Sequence, residues 1–106
     1  MPYVKLDQTQ ERELAPGFRA RFVHGEHITV GQVRVQAGAT LPHHSHPHEQ
    51  VTTVMEGQLE FTLGGETTIL QPGVVAVIPP NAPHSAKALT DCLVMDTFYP
   101  VREDFR

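Results

Sequence analysis

Histidine is unevenly distributed in this 106-residue sequence, and four of its seven histidines lie between residues 43 and 48. Within that stretch, His44 and His46 are two positions apart, a spacing that puts two imidazoles on one face of an extended strand. Gln50 follows a bend at residues 47–49, and its amide oxygen can return to the same place. Imidazole nitrogens and an amide oxygen are ligands that a divalent metal ion accepts.

A further ligand must come from another part of the chain, and His84 directly follows a proline-rich turn at residues 79–83. Imidazole suits zinc, nickel, copper, iron and manganese, and one amide oxygen does not narrow that choice. The sequence therefore predicts one divalent ion (nickel, zinc, manganese or iron) bound by His44, His46, Gln50 and His84.

An alternative explanation of the cluster is a solvated loop whose histidines only form hydrogen bonds. That explanation is the ordinary one for an isolated histidine. His24 and His27 follow no pattern and give no reason to depart from it. His43 and His48 do not fit the ligand spacing, so we interpret them as rim residues beside the site.

Short strand-like runs separated by glycine and proline must position these ligands. Leu59–Leu63 alternates apolar and polar residues, which is typical of a half-buried strand. Apolar residues do not recur at helical spacing over ten or more positions, so an all-β sandwich or closed barrel is predicted. The predicted strands cover residues 18–22, 27–30, 32–36, 51–55, 59–63, 67–70, 74–78, 85–88 and 93–98.

The length of the chain suits one domain with one core. Residues 1–17 are polar and end in an Ala-Pro-Gly turn, so we interpret them as an N-terminal arm with one short strand at residues 3–6. Residues 18–106 form the predicted barrel domain. Apolar side chains on both faces of the run at residues 74–78 favour a homodimer that covers the outer face.

Composition and charge exclude several classes of protein. The formal net charge is −4 and basic residues do not cluster, which argues against nucleic acid and against an anionic membrane as partners. The sequence lacks the roughly eighteen consecutive apolar residues of a membrane-spanning helix and a recognisable signal peptide. Cys92 is the single cysteine, so no internal disulfide forms, and we expect a cytoplasmic protein.

Two motifs of fixed spacing resemble those that define the cupin family. The first joins a glycine, an H-x-H pair, a glutamate and a glycine, and its positions are Gly38, His44, His46, Gln50 and Gly57. The second joins a glycine, a proline, a glycine, a histidine and an asparagine, and its positions are Gly73, Pro79, Asn81, His84 and Ala88. The resemblance implies a single-domain, jelly-roll-like double-stranded β-barrel that binds a metal ion and is commonly a dimer.

The chain departs from these motifs at three positions. Asn81 replaces glycine, and asparagine tolerates a left-handed turn; Ala88 removes a structural side chain. Gln50 replaces the usual glutamate, so four neutral ligands would leave the charge of the ion uncompensated. We therefore expect a small anionic substrate, most simply one that carries a carboxylate.

The segments at residues 46–50, 78–84 and 96–105 are similar to the KdgF family of small cupins. That resemblance implies an isomerase or tautomerase that opens unsaturated monouronates, released by pectin or alginate lyases, to the linear keto acid. It also implies that Asp96 and Phe98 are the catalytic pair.

The residues themselves support part of this assignment. Asp96 and Phe98 share a face of one strand, and an aspartate on an otherwise apolar strand is costly to bury without a purpose. The alternative is an Asp96 that points outward and pairs with an arginine. Arg102 could clamp a carboxylate or form a surface ion pair. Two other functions stay open at this point: a metal-dependent oxygenase, and a non-catalytic module that binds a metal or a sugar.

Overall fold

The computed structural model describes residues 2–106, which form ten strands and two single-turn 3-10 helices. The helices cover Leu6–Gln8 and Glu103–Phe105, and neither has the length or the apolar character to cross a bilayer. The strands are β1 (Arg12–Ala15), β2 (Phe18–His24), β3 (Thr29–Val35), β4 (Thr40–His44), β5 (Glu49–Glu56), β6 (Leu59–Leu63), β7 (Glu66–Leu70), β8 (Val75–Ile78), β9 (His84–Ala88) and β10 (Cys92–Tyr99).

The strands form two antiparallel sheets that pack face to face. The larger sheet has six strands in the order β1-β2-β3-β10-β5-β8, and the smaller has four in the order β4-β9-β6-β7. Alternate residues of β2 and β3 enter the core between the sheets, as Phe18, Ala20 and Phe22 do on β2. The predicted all-β architecture is confirmed, and β6 has the bounds predicted for it.

One predicted break in the larger sheet is wrong. Residues 27–30 and 32–36 were expected to form two strands, but a single strand, β3, runs through Gly31. Gly31 pairs with Phe22 on β2, and a side chain at position 31 would collide with the Phe22 ring. The glycine is therefore explained by close packing within a continuous strand.

The predicted N-terminal arm is partly built into the sheet. Residues 3–6 do not form the expected strand, since the backbone turns into the first 3-10 helix at Leu6. The strand is β1 instead, which pairs with β2 and packs Leu14 and Ala15 against the core. A guanidinium N–H of Arg21 donates to the carbonyl of Thr9 and ties the arm to β2. The domain boundary after residue 17 stays a prediction.

Tight connections at two motif positions explain their residue types. Gly57 has a φ of 92°, and a side chain there would collide with the carbonyl oxygen of Asp91. Asn81 has a φ of 66°, the left-handed conformation expected for it. These turns set the entry to β6 and to β9, and the second carries His84 into the site.

Candidate metal centre

The four-stranded sheet brings two of the predicted ligands together. His44 ends β4 and His84 begins β9, and the two residues are direct partners across these strands. Their ring centroids are 4.2 Å apart. A β-bulge lies between Leu41 and His44, and β4, which contains Pro42, was not among the predicted strands.

His46 also lies beside His44 and His84, but it is not on the strand predicted for it. The H-x-H pair does not lie on one strand, because β4 ends at His44 and His46 belongs to the connection before β5. The His46 ring is nevertheless 5.0 Å from that of His84 between centroids. One ring nitrogen from each of the three histidines lies within 4.8 Å of the others, so His44, His46 and His84 could hold a metal ion.

Backbone carbonyls fix the orientation of all three imidazoles. Nδ1 lies 2.9 Å from the Pro42 carbonyl in His44, 3.1 Å from the His48 carbonyl in His46, and 2.8 Å from the Ala82 carbonyl in His84. A carbonyl oxygen can only accept, so Nδ1 carries the proton in each ring and Nε2 keeps its lone pair. Metal-binding histidines are commonly oriented in this way.

The state of His84 fits a metal ligand. The residue is only 2% exposed, and its Nε2 is a buried atom that has no hydrogen-bond partner among residues 2–106. Burial lowers the pKa of His84 to about 4, so the ring is neutral near pH 7. Burial, aided by the charge of Arg102, also lowers the pKa of His46. Neutral imidazoles with unused lone pairs are what a divalent cation requires.

The six-stranded sheet places a second group of polar residues opposite these rings. Thr52 on β5 and Asp96 on β10 are direct strand partners, as are Gln50 and Phe98. The Thr52 hydroxyl donates to Oδ1 of Asp96 at 2.7 Å, and the Gln50 amide nitrogen donates to the same oxygen at 3.0 Å. The amide nitrogen also donates to the Thr52 hydroxyl at 2.9 Å.

This network determines which end of the Gln50 amide faces the histidines. Because the carboxylate of Asp96 needs donors, the NH₂ group turns toward it, and Oε1 of Gln50 lies 2.9 Å from Nε2 of His46. With the His46 proton on Nδ1, two acceptors face each other there without a hydrogen between them. Such a contact is unfavourable unless a cation lies beside both atoms.

Asp96 points into the molecule, so the alternative of an outward aspartate paired with an arginine is wrong. Burial is the largest influence on its carboxyl group and raises its pKa, while the hydrogen bonds from Thr52 and Gln50 act in the opposite direction. No residue from 2 to 106 donates a hydrogen bond to Oδ2 of Asp96. The carboxyl group also borders the cavity next to the histidines, where Oδ2 can meet a ligand.

A cavity of about 290 Å³ opens beside the cluster. His44, His46, Gln50 and Asp96 form its polar floor, and Phe98 and Arg102 lie on its wall. The remaining lining is apolar and comes from Leu14, Leu41 and Phe105, none of which was predicted as a site residue. The size suits one small molecule with a polar edge and an apolar face.

Arg102 is buried, yet it also forms an ion pair. Its guanidinium packs against both rings, 4.7 Å from the centroid of Phe98 and 4.1 Å from that of Phe105. Asp104 accepts two hydrogen bonds from it, from Nε at 3.0 Å and from Nη2 at 2.8 Å. Arg102 thus forms an ion pair and also borders the cavity, and its role as a clamp on a carboxylate stays a prediction.

The remaining histidines have different surroundings. His43 is exposed, whereas His48 packs beside His46 and Phe98 with its Nδ1 buried. His24, which followed no pattern in the sequence, contacts the Thr29 hydroxyl at 2.9 Å through Nδ1 and the carbonyl of Phe105 at 3.2 Å through Nε2. It thereby holds the C-terminal turn beside the cavity.

The cupin domain family matches residues 31–98, which run from within β3 to within β10. This chain is a cupin. An RmlC-like cupin from Shewanella frigidimarina superposes with a TM-score of 0.92 at 27% identity, over 100% of this chain and 96% of that one. KdgF from Halomonas sp. superposes with a TM-score of 0.87 at 32% identity, over 94% of each chain.

Other similarities are broader. An uncharacterized protein of Streptomyces coelicolor is 28% identical over 102 residues, which cover 94% of this cupin and 97% of that protein. Salicylate 1,2-dioxygenase from Pseudoaminobacter salicylatoxidans is 24% identical with a TM-score of 0.77, over 81% of this chain and 27% of that one. At that identity the likeness shows a shared fold.

Proposed function

We propose that this cupin is a metal-dependent isomerase that opens unsaturated monouronate sugars to the linear keto acid. The observation that carries the proposal is Asp96, a half-buried carboxyl group hydrogen-bonded to Gln50 at the edge of a cavity that His44 and His46 also line. The similarity to KdgF from Halomonas sp. supports it as well. The substrate class comes from the KdgF resemblance of residues 46–50, 78–84 and 96–105.

In this proposal, His44, His46 and His84 each direct Nε2 to one divalent ion, and Gln50 contributes Oε1. The support is the fixed Nδ1 protonation of the three rings and the acceptor pair formed by Gln50 and His46. Nickel, zinc, manganese and iron all suit this ligand set. When bound, the ion would supply positive charge that attracts a carboxylate and lowers the pKa of a neighbouring hydroxyl.

The proposed ligand set favours an anionic substrate. Three neutral imidazoles and a neutral amide cancel none of the ion's charge, and Arg102 adds a second positive group on the same cavity. The Arg102 guanidinium can donate to a carboxylate through the N–H groups that Asp104 does not occupy. Phe98 forms a flat wall against which one face of a sugar ring can pack.

Asp96 is the proposed proton carrier. Ring opening removes the proton from the hemiacetal hydroxyl and breaks the bond between that carbon and the ring oxygen, which gives an aldehyde and an enol. The enol becomes a ketone when its hydroxyl proton leaves and a proton reaches the adjacent carbon, so the reaction is an isomerisation and needs no co-reactant. Asp96 would accept and return these protons through Oδ2, and its raised pKa suits that exchange.

The proposal is tested by the ultraviolet absorbance of the carbon–carbon double bond conjugated to the carboxylate. Metal-loaded protein should remove this absorbance from unsaturated galacturonate or guluronate faster than protein treated with a chelator. The same reaction run without oxygen separates an isomerase from an oxygenase, since only the oxygenase would stop. Binding without any loss of absorbance would instead indicate a non-catalytic binding module.

Two further expectations accompany the proposal: a homodimer and a cytoplasmic location. Val75 and Val77 support the first, because they leave 47% and 60% of their surface exposed on β8, an edge strand. Sedimentation equilibrium would measure the oligomeric state directly.

A further inference from the structure

The Arg102 guanidinium is held in place before any ligand arrives. It packs against the rings of both Phe98 and Phe105, and its side chain is only 10% exposed. Asp104 binds it side-on through Nε and Nη2. This arrangement occupies one edge of the guanidinium and leaves the Nη1 edge without a hydrogen bond to any residue from 2 to 106. Since Arg102 also lines the cavity, these unused donors are available to a ligand there.

The turn that carries Asp104 is itself anchored to the barrel. Phe105 stacks on Phe22 with 4.5 Å between ring centroids, and its carbonyl faces Nε2 of His24. The backbone N–H of Arg102 donates to the Thr29 hydroxyl at 2.9 Å. Asp104 therefore projects from a turn fixed at both ends, and its carboxylate has a defined position relative to the guanidinium.

From this geometry we propose that Asp104 is a positioning residue that keeps the Nη1 edge of Arg102 available to a carboxylate in the cavity. The inference rests on the proposed function, in which that carboxylate belongs to the substrate. Asp104 is 56% exposed, and ion pairs between exposed groups usually contribute little to stability. Here the partner, Arg102, is buried and the pairing is bidentate, so the ion pair fixes the orientation of the guanidinium.

A binding experiment with a matched control tests the role of Asp104. D104N removes the paired charge, and E103Q removes the neighbouring charge on the same turn, where Glu103 pairs with Arg106 instead. The probe is saturated galacturonate, which lacks the reacting double bond, titrated calorimetrically into metal-loaded protein. Because Arg102 would lose its fixed orientation, D104N should bind about 3-fold to 10-fold more weakly. E103Q should match the wild type to within about twofold.

Kinetics and a double variant separate positioning from a general structural effect. With unsaturated galacturonate, D104N should raise KM by a similar factor and leave kcat nearly unchanged. Lysine cannot donate the two parallel hydrogen bonds of a side-on carboxylate pair, so D104N should have little further effect on galacturonate affinity in an R102K background. An equal loss in both backgrounds would overturn the inference, because Asp104 would then act independently of the guanidinium.

Two other results would also overturn it. Equal affinities of D104N and E103Q would show that the pair has no role in binding, and tighter binding by D104N would show that Asp104 competes with the ligand. Failure of the wild-type protein to bind galacturonate at all would contradict the anion site on which the proposed function also depends. If the wild type binds galacturonate and only the D104N expectation fails, the positioning role is overturned and the proposed function is not.

Discussion

The side-chain amide nitrogen of Gln50 donates a hydrogen bond of 3.0 Å to Oδ1 of Asp96, although the residues are 46 positions apart. One residue is the proposed fourth ligand and the other the proposed proton carrier. Because the same amide turns its oxygen to His46, the charge of Asp96 and the orientation of Gln50 depend on each other. The cupin motif usually has glutamate here, and glutamate could not donate this hydrogen bond.

We predict that Q50E weakens the binding of an anionic substrate without loss of metal. The added charge attracts the ion, cancels part of the field felt by a carboxylate, and repels Asp96, which now accepts from Gln50. We expect KM to rise about tenfold or more, with metal content unchanged or higher. Q58E is the control, since Gln58 is exposed and hydrogen-bonds to Gln71. An unchanged KM would show that uncompensated charge does not select the ligand.

D96N should abolish most turnover while the fold and the metal remain. Asparagine keeps an oxygen that can accept from Thr52 and Gln50, but it cannot exchange a proton at neutral pH. The loss in kcat should be about 10²-fold to 10⁴-fold, the usual contribution of general acid–base catalysis. D91N is a matched control, because Asp91 is an exposed aspartate that accepts from the backbone of Ala37.

Two results for D96N would contradict different parts of the account. A loss of less than about tenfold with metal still bound would make Asp96 structural and leave the isomerase without its proton carrier. Loss of the metal together with activity would make Asp96 a ligand or an essential support of one, and the four-ligand assignment would then be wrong.

The parts of the site that depend on local spacing could be predicted from the sequence. The backbone at position 81 is left-handed, which favours asparagine, and the backbone at position 57 lies so close to Asp91 that it requires glycine. At both positions the residue type itself therefore indicates the local structure. Local alternation likewise predicted β6 with its bounds. The convergence of His84 on His44 follows from the pairing of β4 with β9, and it was inferred from the motif spacing.

Other parts of the site depend on contacts between elements that are distant in sequence, and the residue pattern of each segment does not predict those contacts. Leu14 reaches the cavity because β1 joins the edge of the larger sheet, yet its segment was interpreted as an arm. Thr52 meets Asp96 through the pairing of β5 with β10. His24 supports the C-terminal turn through the carbonyl of Phe105. Each is an ordinary residue in its own stretch and gains its role from packing.

The metal-free protein should lose stability as the pH falls from about 6.5 to about 4. The pKa of His84 is lowered from 6.5 to about 4 by burial, so in this range the unfolded chain binds a proton that the folded chain does not. The full effect is about 3 kcal/mol. Urea denaturation in a chelator should show a smaller pH slope for H84Q than for the wild type, with H27Q as control, since His27 is exposed. Equal slopes for all three proteins would contradict the prediction.

Loading with metal should give one ion per chain, because the three histidines place one ring nitrogen each within 4.8 Å of one another. Elemental analysis after incubation with nickel, zinc or manganese should show a large loss for H84Q and none for H43Q, whose histidine is exposed. Affinity should fall as the pH drops from about 6 toward 4, because an imidazole must be neutral to bind the ion and burial lowers the pKa of His84 to about 4. Well under half an ion per chain in the wild type, or equal losses in both variants, would count against the site.

The proposed reaction is tested most directly by nuclear magnetic resonance of unsaturated galacturonate with metal-loaded protein in heavy water, without oxygen. We expect a linear keto acid, isomeric with the substrate, that carries deuterium on the carbon beside the new ketone. D96N should form it at least about 10²-fold more slowly. Substrate that persists as long with metal-loaded protein as with chelator-treated protein, or a product formed only when oxygen is admitted, would contradict the isomerase.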